Sequence, residues 1–370
     1  MHIVQILPAL DEGGVERGTV ELNREFVRRG HASTVISSGG RLAPEIERDG
    51  GRHLRLDVKS KNPLTVPARA LALRRALREL RPDLVHYRSR VPGWLFVLAN
   101  RTLQLPFVST VHGFNSVGLY SRIMTRGLRV ICPSTSVVDH IRTHYRTPEA
   151  KIRLVYRGID PQQFDPARLD AAFIADFRRT CGLDGRFVVL GVGRITPLKG
   201  YDVLIRATDR VRATLPAIKT VIVGGAEAAR AGYEQELHAL VRSLKLEDHV
   251  VFAGSQQRMA EIYACGHVLV SGNNAKPEAF GRSMAEALAM GCPVIATRFG
   301  GALDIVREGF NGWLVEPDSE EQLADRLVRA SSATFRGLRE DALARFSLDQ
   351  MVSGTLAVYD EVLAQPTARA

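Results

Sequence analysis

Short apolar runs suited to buried strands alternate with amphipathic helical stretches along the whole chain. Six runs fall at residues 2–7, 32–37, 83–87, 107–111, 129–132 and 152–155. Six more fall at 187–192, 219–223, 249–253, 267–271, 293–296 and 313–315. Strands joined through helices pair in parallel, and strands apolar on both faces need helices on both sides. The expected class is therefore α/β, as two Rossmann-like series of similar size. The Pro- and Asp-rich stretch 157–170, RGIDPQQFDPARLD, is the natural linker. It places the domains at 1–165 and 166–345. The final segment, about 346–365, has apolar residues at helical spacing and either caps the second domain or returns to the first.

With 370 residues and 45% hydrophobic content, the chain can fill two cores. No apolar run reaches the ~18 residues required to span a bilayer. The chain opens in a strand without a basic leader, and Cys132, Cys181, Cys265 and Cys292 show neither C-x-x-C nor zinc spacing. A cytoplasmic protein is expected. Residues 1–170 hold 27 Lys and Arg against 16 Asp and Glu, whereas residues 171–370 hold 23 against 24. The basic excess lies in the first half, notably at Arg69, Arg74, Arg75, Arg78, Arg81, Arg88, Arg90, Arg122, Arg126 and Arg129. Such a face suits an anionic membrane surface or a phosphate-bearing glycolipid; a merely solvated face is the alternative. Nucleic acid is disfavoured, because the patch lacks interleaved aromatics and no nucleic-acid-binding motif appears.

Chemistry concentrates at residues 278–291, EAFGRSMAEALAMG, which open a helix just after a strand-like run. The crevice at the carboxyl ends of strands is where open α/β sheets bind ligands, and helix N-termini favour anions. Gly281, Arg282 and Ser283 thus suit a diphosphate. Glu286, about two turns beyond Glu278, suits ribose hydroxyls, and Glu278 suits another polyol. In GRITPLKG (193–200), Arg194 and Lys199 follow a strand and can neutralise a diphosphate. Gly13 and Gly14 follow the first strand, where glycine permits close approach of a phosphate or sugar, with a helix expected near Val15. They do not form the G-x-G-x-x-G nicotinamide fingerprint. His112 ends the strand PFVSTVHG. There is no D-x-D pair to hold a catalytic Mg²⁺ or Mn²⁺.

The Glu278-x₇-Glu286 segment resembles the signature of retaining glycosyltransferases of family four (group 1), which have the two-domain GT-B fold. Also similar are GGVER (13–17), VHG (111–113), RGID (157–160), GRITPLKG (193–200) and FGGALDIVREGFNGWLVEP (299–317). They occur in the family's order and cover nearly the whole chain. The look is that of bacterial transferases building lipopolysaccharide and related surface glycans.

The resemblance implies two domains facing each other across a cleft, with the terminal helix crossing back to the first. It implies a nucleotide-sugar donor, preferably a UDP-sugar, on the C-terminal domain and a glycan or glycolipid acceptor on the N-terminal one. Arg194 and Lys199 would grip the donor phosphates, while His112 and Glu278 would lie at the transferred sugar. Gly13, Gly14, Phe280, Gly281, Arg282, Ser283 and Glu286 would line the donor site. The donor is a substrate, so no cofactor and no metal are expected. A peripheral enzyme on the inner face of the cytoplasmic membrane follows. Alternatives are the same chemistry on a small soluble acceptor, or a silent sugar-nucleotide-binding subunit. Two departures stand out: Asp304 where relatives commonly have Glu, and Arg157 where they often have Asn.

Overall fold

The computed structural model describes residues 1–11, 13–226, 231–274 and 276–364, with the backbone alone at Ala231. They form two compact units, one of residues up to 158 together with the terminal helix from 348, and one of residues 159–347. Residues 159–165, assigned above to the first domain, thus belong with the second unit.

The first unit is a seven-stranded parallel sheet in the order β3-β2-β1-β4-β5-β6-β7. Its strands are β1 (His2–Ile6), β2 (Ala32–Ser37), β3 (Arg52–Arg55), β4 (Leu84–Tyr87), β5 (Phe107–Thr110), β6 (Arg129–Cys132) and β7 (Ile152–Leu154). The second unit is a six-stranded parallel sheet, ordered β10-β9-β8-β11-β12-β13. It comprises β8 (Phe187–Val192), β9 (Ile218–Val223), β10 (Val250–Gly254), β11 (Val268–Ser271), β12 (Val294–Thr297) and β13 (Gly312–Val315). Chain order reverses beside β1, between β2 and β4, and beside β8, between β9 and β11. These reversals create the crevices that α/β sheets use for ligands.

The twelve apolar runs all became strands. The addition is β3, an edge strand whose sequence RHLR has no apolar run and no fully buried residue. The terminal helix Leu348–Leu363 belongs to the first unit. Met351, Val352, Tyr359 and Val362 pack in one core with Ile3, Leu22, Phe26, Leu84 and Val108. Tyr359 Oη lies 2.7 Å from His86 Nδ1, and Glu361 pairs with Arg129 and Arg153 at 2.8 and 2.9 Å. This apolar face, unexplained by a cap on the second domain, is core of the first.

The basic face is smaller than the sequence suggests. Arg69 is buried and donates to the carbonyls of Ser60 and Asn62, Arg88 is 3% exposed, and Arg129 is held by Glu361. Arg75, Arg78, Arg81, Arg122 and Arg126 remain exposed. All four cysteines are buried free thiols, and burial pushes those of Cys132 and Cys292 up to about 12.

Candidate active site

In the second unit, the carboxyl ends of β8, β9 and β11 are drawn together by glycines. A β-carbon on Gly224 would meet the Gly193 carbonyl oxygen at 2.0 Å, and one on Gly200 the Gly272 carbonyl oxygen at 2.0 Å. With φ of 151° and 61°, both positions also disfavour other residues. This close approach fixes the loop bearing Arg194 and the single turn Pro197–Lys199 against the end of β11. Tyr201 locks it further, its hydroxyl donating to the Gly193 carbonyl at 2.8 Å.

Lys199 Nζ consequently reaches Glu278 Oε2 at 2.6 Å, with both side chains partly exposed. Asn273 Nδ2 donates to the same oxygen at 3.3 Å, and Ser271 Oγ orients Asn273 by donating to its Oδ1 at 3.2 Å. Burial opposes ionisation of Glu278. The charge of Lys199, hydrogen bonds from Lys199 and Asn273, and the charge of Arg194 outweigh it and hold the carboxyl below its ordinary value. Glu278 is therefore a carboxylate at neutral pH, able to accept and not to donate a proton.

Gly281, at φ 97°, caps the helix Arg282–Ala289 in the left-handed region. Phe280 turns inward, 3% exposed, with its ring 5.4 Å from Phe346. Gly300 and Gly301 back this turn. A β-carbon on Gly301 would lie 2.2 Å from the Phe280 carbonyl oxygen, and Gly301 N–H donates to the Glu278 carbonyl at 2.8 Å. Arg282 and Ser283 occupy the first turn. Glu286 lies about one turn in, not two, because the helix begins only at Arg282. Tyr263 Oη donates to its Oε2 at 3.0 Å and Arg282 Nε to its Oε1 at 3.2 Å. Each carboxylate oxygen retains a lone pair for a further donor such as a sugar hydroxyl.

The first unit brings its own candidates together at the carboxyl ends of β1, β4 and β5. Gly13, at φ 145°, precedes the helix Gly14–Arg28, which starts one residue before Val15. The Arg157 guanidinium reaches into this first turn, donating from Nη2 to the Gly14 carbonyl and lying with Nη1 3.5 Å from His112 Nδ1. Arg88 donates from Nη1 to Gln5 Oε1 at 2.9 Å. Burial, then the charges of Arg88, Arg157 and His86, hold the His112 imidazole well below its ordinary value, so the ring is neutral. Its Nε2 is buried and has no hydrogen-bond partner among the described residues.

Sequence reading placed Arg194, Lys199, Glu278, Phe280, Gly281, Arg282, Ser283 and Glu286 around one set of strand ends, where the structure has them. It placed His112, Gly13 and Gly14 in the first domain, where they gather around Arg157. It missed Asn273 and Tyr263, which hold the two glutamates, and Arg88, read only as surface charge. A polar pair, Asn273 and Asn274, one glycine beyond the end of an apolar strand was the available signal for the first. Asp304 is buried in the short helix Ala302–Ile305.

Comparison with known proteins gives this geometry its family. Residues 12–163 match the model described as Glycosyltransferase Family 4, and residues 175–341 match Glycosyl transferases group 1. A D-inositol 3-phosphate glycosyltransferase of Acidothermus cellulolyticus is 30% identical over 96% of this chain and 87% of its own. A solved glycosyltransferase of Rickettsia africae is 29% identical with a TM-score of 0.91, covering 99% of both chains. The Anabaena protein HepE, solved in complex with UDP, shares the fold at 21% identity and a TM-score of 0.85, over 98% of this chain and all of that one. The chain therefore belongs to the group 1, family 4 glycosyltransferases and has their GT-B fold of two Rossmann-like domains.

Proposed function

We propose that this glycosyltransferase moves a hexose from a UDP-sugar to a hydroxyl of an anionic polyol, glycan or glycolipid, with retention of anomeric configuration and without a metal. The observation that carries the reading is the Lys199–Glu278–Asn273 constellation beside the chain-order reversal at β8, next to the helix start that bears Glu286. In transfer the bond from the anomeric carbon to the β-phosphate oxygen breaks, and the acceptor oxygen bonds to that carbon on the same face. The acceptor's proton passes to the departing phosphate oxygen. Charge grows on the leaving diphosphate, so Lys199 and Arg194 stabilise the transition state more than the ground state. Glu278 holds Lys199 in place while spare lone pairs remain for a sugar hydroxyl. Glu286 takes the ribose, and the first turn at Gly281, Arg282 and Ser283 takes phosphate oxygens. The first unit's Gly13, Gly14 and His112 serve acceptor binding.

UDP is preferred because the Anabaena protein of the same fold was solved with UDP and with UDP-glucose. Metal independence is supported by the absence of a D-x-D pair and by the two cations placed to meet the diphosphate. Two acceptors compete. The basic first half favours a glycan or glycolipid phosphate of the bacterial surface, such as a lipopolysaccharide core. The name of the Acidothermus relative favours a small phosphorylated polyol. No helix among the described residues is long and apolar enough to cross a membrane, and peripheral attachment through the exposed arginines fits the first acceptor.

The test is a panel of UDP-, GDP- and ADP-sugars offered with inositol phosphate or with lipopolysaccharide core in anionic vesicles. Products are read by mass and by the anomeric proton coupling. Retained configuration from a UDP-sugar supports the proposal. Inversion, or transfer only from another nucleotide, overturns it.

A further inference from the structure

Arg157 stands out because the fold makes room for it at a cost in side chains elsewhere. It is buried at 8% exposure, and Gly18 on the first helix is what admits its guanidinium: a β-carbon there would lie 2.4 Å from Nη2. Its Nη2 donates to the Gly14 carbonyl, which anchors the fork. Its Nη1 then faces His112 Nδ1 at 3.5 Å.

A guanidinium has five donors and no acceptor, and it does not lose its proton in proteins. The nitrogen facing it must therefore present a lone pair. In a neutral imidazole with Nδ1 as acceptor, the proton sits on Nε2. Nε2 is the atom that is buried with no partner among the described residues. Among the described residues, the other charged or titratable groups acting on this ring are Arg88 and His86. His86 is itself committed through both nitrogens, to Tyr359 Oη and Thr110 Oγ1, each at 2.7 Å. It does not compete for the His112 proton.

We infer that Arg157 is a positioning residue that fixes His112 as the neutral Nε2–H tautomer, making the ring an obligate hydrogen-bond donor toward an acceptor oxygen of the substrate. Nδ1 faces a cation and Nε2 already carries a hydrogen, so the ring has no nitrogen available as a general base. Gly18, Gly14 and Arg157 thus act as one device on His112. The tautomer claim stands on the geometry of the first unit alone; only its consequence for transfer rests on the function proposed above.

The test is ¹⁵N–¹H correlation of the histidine side chains in the full-length protein at neutral pH, with His112 assigned through His112→Gln. The expected wild-type ring carries its proton on Nε2. Arg157→Met removes the donor and the charge, and the ratio of Nε2–H to Nδ1–H should fall on the order of tenfold or more, the factor carried by a hydrogen bond to a charged group. Arg157→Lys keeps a cation that can only donate and should restore the wild-type tautomer. A wild-type ring protonated on Nδ1 or on both nitrogens overturns the inference. So does an Arg157→Met ring with the wild-type ratio. Should Arg157→Met fail to fold, the wild-type and Arg157→Lys spectra decide alone. None of these readouts requires turnover, so failure of the proposed reaction and failure of this inference are told apart.

Discussion

Acid should loosen the first unit at a pH where most carboxylates are still ionised. Burial, and then the charges of Arg88 and Arg157, hold His86 well below the ordinary imidazole value; His112 is held down by burial and the same arginines. The sign follows from proton counting. Below about pH 6.5 the unfolded chain takes up a proton at each ring that the folded state refuses, so stability is lost as pH falls through that value. Between pH 7.5 and 5.5 an ordinary imidazole goes from about one-tenth to about nine-tenths protonated. This corresponds to at most about 1.4 kcal/mol per ring, or about 2.7 kcal/mol for the pair. His31, His53 and His140 of the same unit are also lowered, by burial first, so any further loss has the same sign. Because two units need not unfold together, the assay is amide hydrogen exchange of β1, β4 and β5 at the two pH values, corrected for intrinsic rates. His86→Gln keeps a donor and an acceptor for Thr110 and Tyr359 but cannot titrate, and should remove up to about 1.4 kcal/mol of the loss. Protection unchanged between pH 7.5 and 5.5 would refute the neutral buried rings.

Other predictions follow from the second unit and from the basic face. Glu286→Ala should weaken UDP binding and destabilise the helix start by about 1–3 kcal/mol, because buried Tyr263 loses its acceptor; Glu278→Ala should chiefly lower turnover. Equal loss of UDP affinity in the two variants contradicts this division of roles. Activity should persist in excess EDTA, and abolition reversed only by Mg²⁺ or Mn²⁺ would refute metal independence. The protein should co-sediment with anionic but not neutral vesicles, less so as salt rises, and reversal of Arg75, Arg78 and Arg122 to Glu should reduce this without changing UDP affinity. Failure to bind anionic vesicles even at low salt would favour the small soluble acceptor.

The sheets were legible because parallel strands covered by helices are predominantly apolar, and twelve of the thirteen strands carry an apolar run. β3 was not, because an edge strand written RHLR carries no such constraint. The helix start at 282–289 was legible from its turn glycine and its two glutamates, but the partners of those glutamates were not. Lys199 meets Glu278 across 79 positions of sequence, and Tyr263 meets Glu286 across 23. Such pairings depend on which strands are neighbours, and local spacing does not encode that order. For the same reason Arg88 read as surface charge: it is buried because the Gln5 side chain, 83 positions away, accepts its hydrogen. Arg69 is buried through nearer acceptors, the carbonyls of Ser60 and Asn62, which the preceding loop turns back onto its helix. Arg157 was conspicuous as a departure from the family pattern, yet only the structure sets it against Gly14, Gly18 and His112.

The most direct test of the central claim is kcat/KM for UDP release from the preferred UDP-sugar, compared between the wild type and Lys199→Met. Lys199 is held at 2.6 Å by Glu278, where the proposed reaction would develop charge on the departing diphosphate, and Met keeps its length without its charge. A loss on the order of 10²–10³, or about 2.7–4 kcal/mol, is expected for one such contact. A folded Lys199→Met protein that turns over at the wild-type rate would contradict the assignment of this site to the donor diphosphate.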